Sequence, residues 1–486
     1  MIVLATLLHL SAAIFLPSPL KDTGHQNFEN LVNVSHLHDF LDHLDQDSTF
    51  NYTGSDAEEL AQLKEMFELS RMDQIFFQPG IAIGNDDVYD VNQKAGIERE
   101  MYEGDIILTD EQLKIMESLT KGGNATRSKR QAIKDAWRGW GSNPTVPYSF
   151  AADYPKDRVA IVEAGMKFWS DNTCVSFRSA TLADRIRLEV KDDRGCWSRI
   201  GKTGERRQPL SIPAGCLDVG SVAHELAHTL GVEHTQSRTD RNKYVLIDED
   251  NIQRGATHNF NIDLNTVNHD IPYEFGSAMH YGAGDFARNP RRPVLYARKG
   301  YEMYQHGMMG RLPTFYDIML VNKMYNCYAN CPKTIKCANG GVVDVRNCKQ
   351  CKCAFGWTGG YCKKRPNGTK KLSAKANEQK FQVQMGKQGA KAATVITSKF
   401  FVIKAPAGKR VELTPSYEGS WWTNDCGTMG SIIQFKTDPR YAGVQICDFR
   451  VKYSPIVSEK NVVVIEVYTR GGLTQTTFIY RSVVSD

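Results

Sequence analysis

The sequence predicts several folded blocks in series: a mixed α+β domain, a small disulfide-rich module and a small all-β sandwich. The first observation is length, because 486 residues is about three times a typical domain. The second is the crowding of six of the 12 cysteines between Cys331 and Cys362. The third is patterning, since helical and alternating apolar periodicities precede the cysteine cluster and short β-rich runs follow it.

Composition excludes several classes of protein. Hydrophobic residues make up 41% and charged residues 24%, which excludes a wholly disordered or collagen-like chain. The formal net charge of +5 lies over a mixed background and is too weak to indicate binding to nucleic acid. After the N-terminus, no apolar segment reaches the length of a membrane span. We therefore expect neither a nucleic-acid partner nor a membrane-spanning segment.

Two features indicate a secreted, extracellular protein. Residues 2–16 are almost entirely apolar, which is typical of a signal peptide over 1–18; a buried strand or helix is the alternative. The even number of clustered cysteines suits disulfides and an oxidising compartment. The N-glycosylation acceptor motifs fit the same compartment and begin at Asn33, Asn51, Asn124 and Asn367.

A polar, cysteine-free stretch over 19–130 ends in a basic run from Arg127 to Arg130. Within it, Ser55 and Glu58 form a capping box that predicts a helix. The basic run is either a solvated charge cluster or a processing site for a trypsin-like or furin-like convertase. Because it lies at a composition boundary in a secreted chain, we favour cleavage after Arg130, which would separate a pro-segment from a mature protein.

The α+β prediction rests on residues 131–328. A helical apolar stripe spans 159–169, and strict alternation over 186–190 predicts a half-buried strand. Further helices are predicted over 218–230 and after Thr314.

The rest of the chain divides into three parts. Residues 329–363 have too little apolar material for a core, so disulfides must hold them, and only the Cys353–Cys362 pair follows from spacing. Residues 364–380 form a basic linker, whose charges are solvated or bind glycosaminoglycan. Over 381–486, short β-rich runs alternate with turns, which predicts the sandwich.

The chemistry is concentrated in the segment from His224 to His234, which reads HELAHTLGVEH. His224 and His228 are four residues apart and project from one face of a predicted helix, the separation needed to chelate one zinc ion. Gly231 can adopt a positive φ and end the helix, so the chain turns back and presents His234 as a third ligand. Three histidines leave a position for water, and Glu225 can accept the proton of that water. The alternative is a helix with two surface histidines.

A second segment, SAMHY over 277–281, supports this interpretation. The extended zinc motif predicts a downstream turn with a methionine beneath the metal, and Met279 is the candidate. The phenol of Tyr281 could reach the metal or a developing oxyanion. Both residues could instead be ordinary core residues, and we expect His280 to be structural rather than a ligand.

Together these motifs resemble the astacin metallopeptidases over roughly 131–327. The resemblance includes VPYSF at 146–150, GCWS at 195–198 and the Met-turn SAMHYG at 277–282. It implies an α+β zincin catalytic domain, with a mixed sheet and an active-site helix, that works as a zinc endopeptidase.

Specific roles follow from the resemblance. One zinc ion per subunit would be bound by three ligands, His224, His228 and His234. Glu225 would be the general acid/base, and Tyr281 an extra ligand that swings away to stabilise the tetrahedral intermediate. The resemblance also implies two disulfides, Cys174–Cys327 and Cys196–Cys216. The strand at 185–191 looks like the family's edge strand, to which an extended substrate would pair.

The pro-segment shares one motif with the family. Residues 102–106, YEGDI, look like its FxGD switch, with Tyr102 in place of Phe. Asp105 would occupy the place of water on zinc and keep the zymogen inactive; an ordinary Gly-Asp turn is the alternative. The family usually has Glu after the third histidine, paired with the new N-terminus, but Thr235 stands there and cannot form an ion pair.

The C-terminal blocks have relatives too. Residues 329–363 resemble an EGF-like module, and 381–486 resemble a CUB domain with a Cys426–Cys447 bridge. Phe400 and Phe401 stand where a further CUB cysteine is expected, so one of the usual two bridges is missing. This domain order is similar to that of nematode astacins, many of which act on cuticle or matrix proteins.

The leading hypothesis is a secreted zinc endopeptidase made as a zymogen. Its partners would be extended polypeptide substrates, an activating convertase, and matrix proteins or glycans that bind the EGF-like and CUB modules. One alternative is a catalytically relict matrix-binding protein that acts through those modules. A third possibility is a metal-dependent hydrolase of non-peptide substrates.

Overall fold

The computed structural model describes residues 34–47, 54–71, 87–120, 139–263, 266–332, 335–390, 396–419, 429–447 and 451–484. The helices in these ranges are α1 (Val34–Asp47), α2 (Gly54–Arg71), α3 (Val88–Ala95), α4 (Asp110–Thr120), α5 (Val159–Asn172), α6 (Val219–Thr229) and α7 (Phe315–Met324). The predicted signal peptide, the predicted processing site, Cys426 and three of the acceptor asparagines (Asn33, Asn51 and Asn124) lie outside the described residues. The fourth, Asn367, is exposed in a turn.

The strands divide between the α+β domain, which corresponds to the predicted catalytic domain at 131–328 and is called the catalytic domain below, and the C-terminal blocks. The first group is β1 (Thr145–Phe150), β2 (Ser176–Ser179), β3 (Arg187–Lys191), β4 (Trp197–Ser198), β5 (Arg207–Ser211), β6 (Val245–Ile247) and β7 (Leu295–Ala297). The second group is β8 (Val342–Val343), β9 (Cys351–Lys352), β10 (Lys370–Ser373), β11 (Gln379–Met385), β12 (Thr397–Lys404), β13 (Lys409–Gly419), β14 (Met429–Gln434), β15 (Val444–Ile446), β16 (Ile456–Val457), β17 (Val462–Thr469) and β18 (Thr474–Val484).

The main sheet of the first domain has the order β2-β1-β3-β5-β4. Neighbouring strands are parallel except β4, which is antiparallel to β5. Strand β3 therefore lies in the interior, and the prediction that 185–191 forms an edge was wrong. The alternating pattern buries Leu188 and Val190 and leaves polar side chains on the other face of the strand. An interior strand can have such a polar face as well as an edge strand, so the pattern does not identify an edge. The edge on this side is β4.

Helices α5 and α6 pack together against this sheet. The indole of Trp169 donates a hydrogen bond to the carbonyl oxygen of Ala223 at 2.9 Å, which fixes the two helices side by side. Helix α6 begins where the Asp218 carboxylate accepts the N–H groups of Gly220 and Ser221, at 2.8 and 3.0 Å. It ends before Gly231, whose φ of +91° turns the chain back, as predicted.

The segment before the catalytic domain folds against it. Apolar residues of α1, α4 and the chain between 101 and 108 form one buried cluster with Ile200 of the catalytic domain. The predicted capping box is displaced, because α2 begins at Gly54 and Ser55 therefore lies inside the helix. Asp45 of α1 also accepts the N–H of His258 at 2.6 Å.

Two disulfides close the catalytic domain, Cys174–Cys327 and Cys196–Cys216. In the next module the first cysteine pairs with the third, the second with the fourth and the fifth with the sixth; the pairs are Cys331–Cys348, Cys337–Cys351 and Cys353–Cys362. Spacing alone indicated only the last of these three pairs.

The C-terminal block consists of two sheets, ordered β10-β12-β17-β14-β15 and β11-β18-β13-β16. The basic segment 364–380 is not only a linker, because Lys370–Ser373 adds to the first sheet in parallel with β12. The side chain of Leu372 packs against the sandwich core, and lysines around it concealed that apolar contact in the sequence.

The sandwich packs on the catalytic domain through a continuous apolar core that includes residues of both. Polar contacts reinforce it. The buried Glu274 carboxylate accepts the N–H of Ala442 at 2.7 Å, and the hydroxyl of Tyr316 donates to Asp438 at 2.7 Å. None of the helices in the described ranges combines the length and the apolar character needed to cross a lipid bilayer.

Candidate metal centre

Three imidazoles and one carboxylate converge at the C-terminal half of α6. The Nε2 atoms of His224 and His228 are 3.1 Å apart. Asp105 places its carboxylate oxygens 3.1 Å from Nε2 of His224, 3.4 Å from that of His228 and 3.2 Å from that of His234. All four residues are buried, and these ligand atoms lie within 4.8 Å of one another.

These separations suit a tetrahedral ion. Ligand atoms about 2.1 Å from a central zinc are about 3.4 Å from one another in a tetrahedron, which is close to the distances observed. The donor set of three imidazoles and a carboxylate is also one that zinc accepts.

The protonation of the rings gives an independent test of fit. Nδ1 of His224 lies 2.7 Å from the carbonyl oxygen of Ala278, and Nδ1 of His228 lies 2.8 Å from that of Val232. A carbonyl oxygen only accepts, so we assign the ring proton to Nδ1 in both residues. Their Nε2 lone pairs then face each other, an arrangement that a shared cation stabilises. The residues present therefore fit a zinc ion.

The third imidazole has a different partner. Nδ1 of His234 lies 2.8 Å from a carboxylate oxygen of Glu103, which belongs to the segment before the catalytic domain. The side chain of Glu103 is buried, and its backbone carbonyl accepts the hydroxyl of Tyr281 at 2.7 Å. Glu103 belongs to the YEGDI motif, but no pattern in the sequence indicates that its side chain contacts a histidine.

A tight turn carries Asp105 to the cluster. Tyr102 and Ile106 exchange backbone hydrogen bonds at 3.0 and 2.9 Å, and between them Glu103 and Gly104 both have positive φ, +48° and +77°. A Cβ on Gly104 would lie 2.8 Å from the ring of Phe286, so glycine suits both the backbone and the space. Burial opposes ionisation of Asp105, but His234 and His228 outweigh it and hold the pKa of Asp105 well below its ordinary value.

The segment that carries Asp105 also pairs with the open edge of the sheet. Ile107 donates its N–H to the carbonyl of Ser198 at 2.9 Å, and Ser198 donates its N–H to the carbonyl of Asp105 at 3.0 Å. The pairing between Ile106 and Ser198 is parallel. Two buried polar side chains, neither of which was predicted from the sequence, hold this segment against the sheet. The amide of Asn92 bonds both Gly104 and Cys196, and Arg199 donates to the carbonyls of Ile107 and Leu108.

Glu225 is completely buried beside this cluster. Neither of its carboxylate oxygens has a hydrogen-bond partner among the described residues, which is rare for a buried carboxyl. Burial raises the pKa of Glu225 well above its ordinary value, and the charge of Asp105 raises it further. A carboxyl with a raised pKa and no partner is suited to exchanging protons with a ligand in the site.

The predicted Met-turn lies against the histidines. The carbonyl of Met279 accepts the N–H of Thr235, the residue after His234, at 2.7 Å, and the Met279 side chain is buried in the core. The ring of Tyr281 lies 4.8 Å from that of His234, centre to centre. His280 bonds the Tyr273 hydroxyl at 2.7 Å, which agrees with its predicted structural role.

Known proteins are similar to this chain in sequence. The family model Astacin (Peptidase family M12A) matches residues 132–326. Zinc metalloproteinase nas-28 of Caenorhabditis elegans is 31% identical over 399 residues, 79% of this chain and 79% of the relative. Zinc metalloproteinase nas-31 of the same organism is 32% identical over 415 residues, 83% of this chain and 67% of the relative. A hatching-enzyme zinc-protease of the medaka Oryzias latipes, High choriolytic enzyme 1, is 32% identical; the match covers 40% of this chain and 96% of that one with a TM-score of 0.36.

The comparisons confirm the family that the motifs predicted. Because the match to nas-28 extends over most of both proteins at 31% identity, this chain belongs to the astacin family and is a zinc metalloendopeptidase that uses one zinc ion.

Proposed function

We propose that the chain is a secreted zymogen of a zinc endopeptidase, with His224, His228 and His234 as the zinc ligands and Asp105 as the switch that keeps it inactive. The observation that carries this proposal is the position of the Asp105 carboxylate, within 3.4 Å of Nε2 of all three histidines. A carboxylate there occupies the coordination position that catalysis requires for water.

Zinc, when bound, supplies Lewis-acid chemistry: it acidifies water and polarises the peptide carbonyl. The carboxylate of Glu225 takes the proton of the attacking water, and the carboxylic acid so formed returns it to the leaving amine. It can do so because both of its oxygens are buried without partners. The phenol of Tyr281, once released from the Glu103 carbonyl, donates a hydrogen bond to the oxygen of the tetrahedral intermediate.

The pro-segment blocks substrate in a second way. It pairs with Ser198 at the open edge strand β4, where an extended polypeptide substrate would add by backbone hydrogen bonding. Cleavage by a convertase after Arg130 would allow the segment that carries Asp105 to leave both the edge and the histidines. The mature catalytic domain would then begin at residue 131.

The accessory blocks extend the proposal to location and substrate. The disulfides and the exposed Asn367 suit an extracellular glycoprotein, and an N-terminal signal peptide would direct its secretion. We assign 329–363 as an EGF-like module and the sandwich as a CUB-like domain, which would bind matrix proteins or glycans. Extracellular matrix or cuticle proteins are the proposed substrates, on the strength of the resemblance to nematode astacins.

We expect Asp105→Ala to give hydrolytic activity without processing, in an Arg130→Ala background that blocks cleavage after residue 130. Hydrogen bonds to charged groups contribute about 1.5–3 kcal/mol. Loss of one such bond should raise the fraction of open sites, and hence basal hydrolysis of a fluorogenic peptide, about 10- to 100-fold. Glu111→Ala, an exposed change in the same segment, is the matched control. Basal activity that remains at the unprocessed level in Asp105→Ala would refute the switch.

The complete proposal is tested on the secreted protein. N-terminal sequencing should find a form that begins at Gln131, and proteome-wide cleavage profiling should detect peptide-bond cleavage that a zinc chelator abolishes. A secreted protein that starts elsewhere would refute processing after Arg130. Cleavage that resists chelation would refute the zinc mechanism.

A further inference from the structure

The three zinc-site histidines differ in where their second hydrogen bond comes from. His224 and His228 each direct Nδ1 to a backbone carbonyl of the catalytic domain, at 2.7 and 2.8 Å. His234 directs Nδ1 to the Glu103 carboxylate of the pro-segment at 2.8 Å. Two ligands are therefore oriented by the domain that would remain after processing, and the third by a segment that would be removed.

The backbone at Glu103 supports a role for its side chain. Glu103 has φ +48°, a left-handed conformation that is unfavourable for a residue with a Cβ. If residue 103 served only to make the turn, glycine or asparagine would make it with less strain. A glutamate in a strained position, with its carboxylate buried against an imidazole, indicates that the carboxylate itself is used.

We infer that Glu103 is a positioning residue for the metal, and that it completes the zinc site of the unprocessed chain by orienting His234. A carboxylate that accepts the Nδ1–H of a ligand histidine fixes the tautomer and the ring, and it makes Nε2 a better donor to the metal. The inference rests on the proposed function, since it takes the cluster as the zinc site and 19–130 as a removable pro-segment.

The consequence is that the pro-segment both blocks the site and strengthens metal binding. Asp105 faces Nε2 of the histidines, and Glu103, two residues earlier, supports the opposite nitrogen of His234. The zymogen should therefore hold zinc more tightly than the processed enzyme, which would keep metal in the site until activation.

The experiment measures zinc affinity of the unprocessed Arg130→Ala chain by competition with a chromogenic chelator. Glu103→Ala should raise the zinc dissociation constant about 10- to 100-fold, the usual cost of losing such a partner. Glu103→Gln should raise it less, because the amide oxygen still accepts the Nδ1–H but carries no charge. The visible spectrum of the Co²⁺-substituted chain should change in both variants. Glu111→Ala should leave the constant and the spectrum unchanged.

The processed enzyme is an internal control. Processing removes residue 103, so wild type and Glu103→Ala, with Arg130 intact and treated with trypsin, should give mature enzymes with equal zinc affinity and equal kcat/KM. A zinc dissociation constant that is unchanged in the unprocessed Glu103→Ala chain overturns the inference. A second result would also overturn the inference: Glu103→Gln has the same raised basal activity as Asp105→Ala, but its zinc affinity equals that of the chain with Glu103 intact. Glu103 would then only anchor the pro-segment. Absence of peptidase activity after processing would count against the proposed function, and the zinc constants would remain readable.

Discussion

Glu225→Gln is expected to lower kcat/KM for peptide hydrolysis by about 10³-fold in the processed enzyme, within the usual range for loss of a general acid–base. The glutamine amide has the same shape but cannot take up the water proton. Because Glu225 contacts none of the three histidine side chains through a hydrogen bond, zinc should remain bound. Hydrolysis of a fluorogenic peptide and zinc content by atomic absorption measure the two effects.

The control for this variant is Glu163→Gln, an exposed glutamate on α5 of the same domain, which should retain activity. Full cleavage by Glu225→Gln would exclude its role as the general acid/base. If the protein's biological activity instead persisted while cleavage was lost, its function would reside in the EGF-like and CUB-like modules.

The second large effect concerns stability. Cys174 and Cys327 are 153 residues apart, and their disulfide joins the segment between α5 and β2 to the C-terminal end of the catalytic domain. In the chain-entropy description, closing a loop of that length stabilises the folded state by about 5 kcal/mol. Replacing both cysteines with alanine should therefore lower the urea midpoint strongly, as followed by tryptophan fluorescence under non-reducing conditions.

The matched control replaces Cys353 and Cys362, which are only nine residues apart. The same relation gives about 3 kcal/mol for that short loop, and the effect should be confined to the small module. Equal urea midpoints for the wild type and the Cys174/Cys327 variant would show that the long-range bridge adds no stability.

The convergence of the three histidines could be predicted from the sequence because its signals are local. Helical spacing fixes His224 relative to His228, and Gly231 marks the turn that returns His234. Helix α7 was also located after Thr314, as predicted, and Thr314 and Asp317 form a capping box at its N-terminus. These features depend on residues within about one or two helical turns of one another.

Non-local features were not predictable in this way. The position of β3 between β1 and β5 depends on parallel pairings between distant segments, so its alternation could not distinguish an interior strand from an edge. The contact between Glu103 and His234 joins residues 131 positions apart, and no periodicity connects them. Strand β10 was not predicted because Leu372, its only apolar residue, follows two lysines and gives no apolar pattern in the sequence.

The continuous core between the catalytic block and the sandwich has a consequence for how the protein melts. Gly276 lies so close to the sandwich that a Cβ there would be 2.8 Å from the Cβ of Ala442. Because the catalytic domain and the sandwich share one apolar core, neither can unfold without exposing apolar side chains of the other, so the two should unfold cooperatively. Scanning calorimetry should record a single unfolding transition for the two domains. The Gly276→Val substitution, which disrupts the contact with Ala442, should split this transition into two.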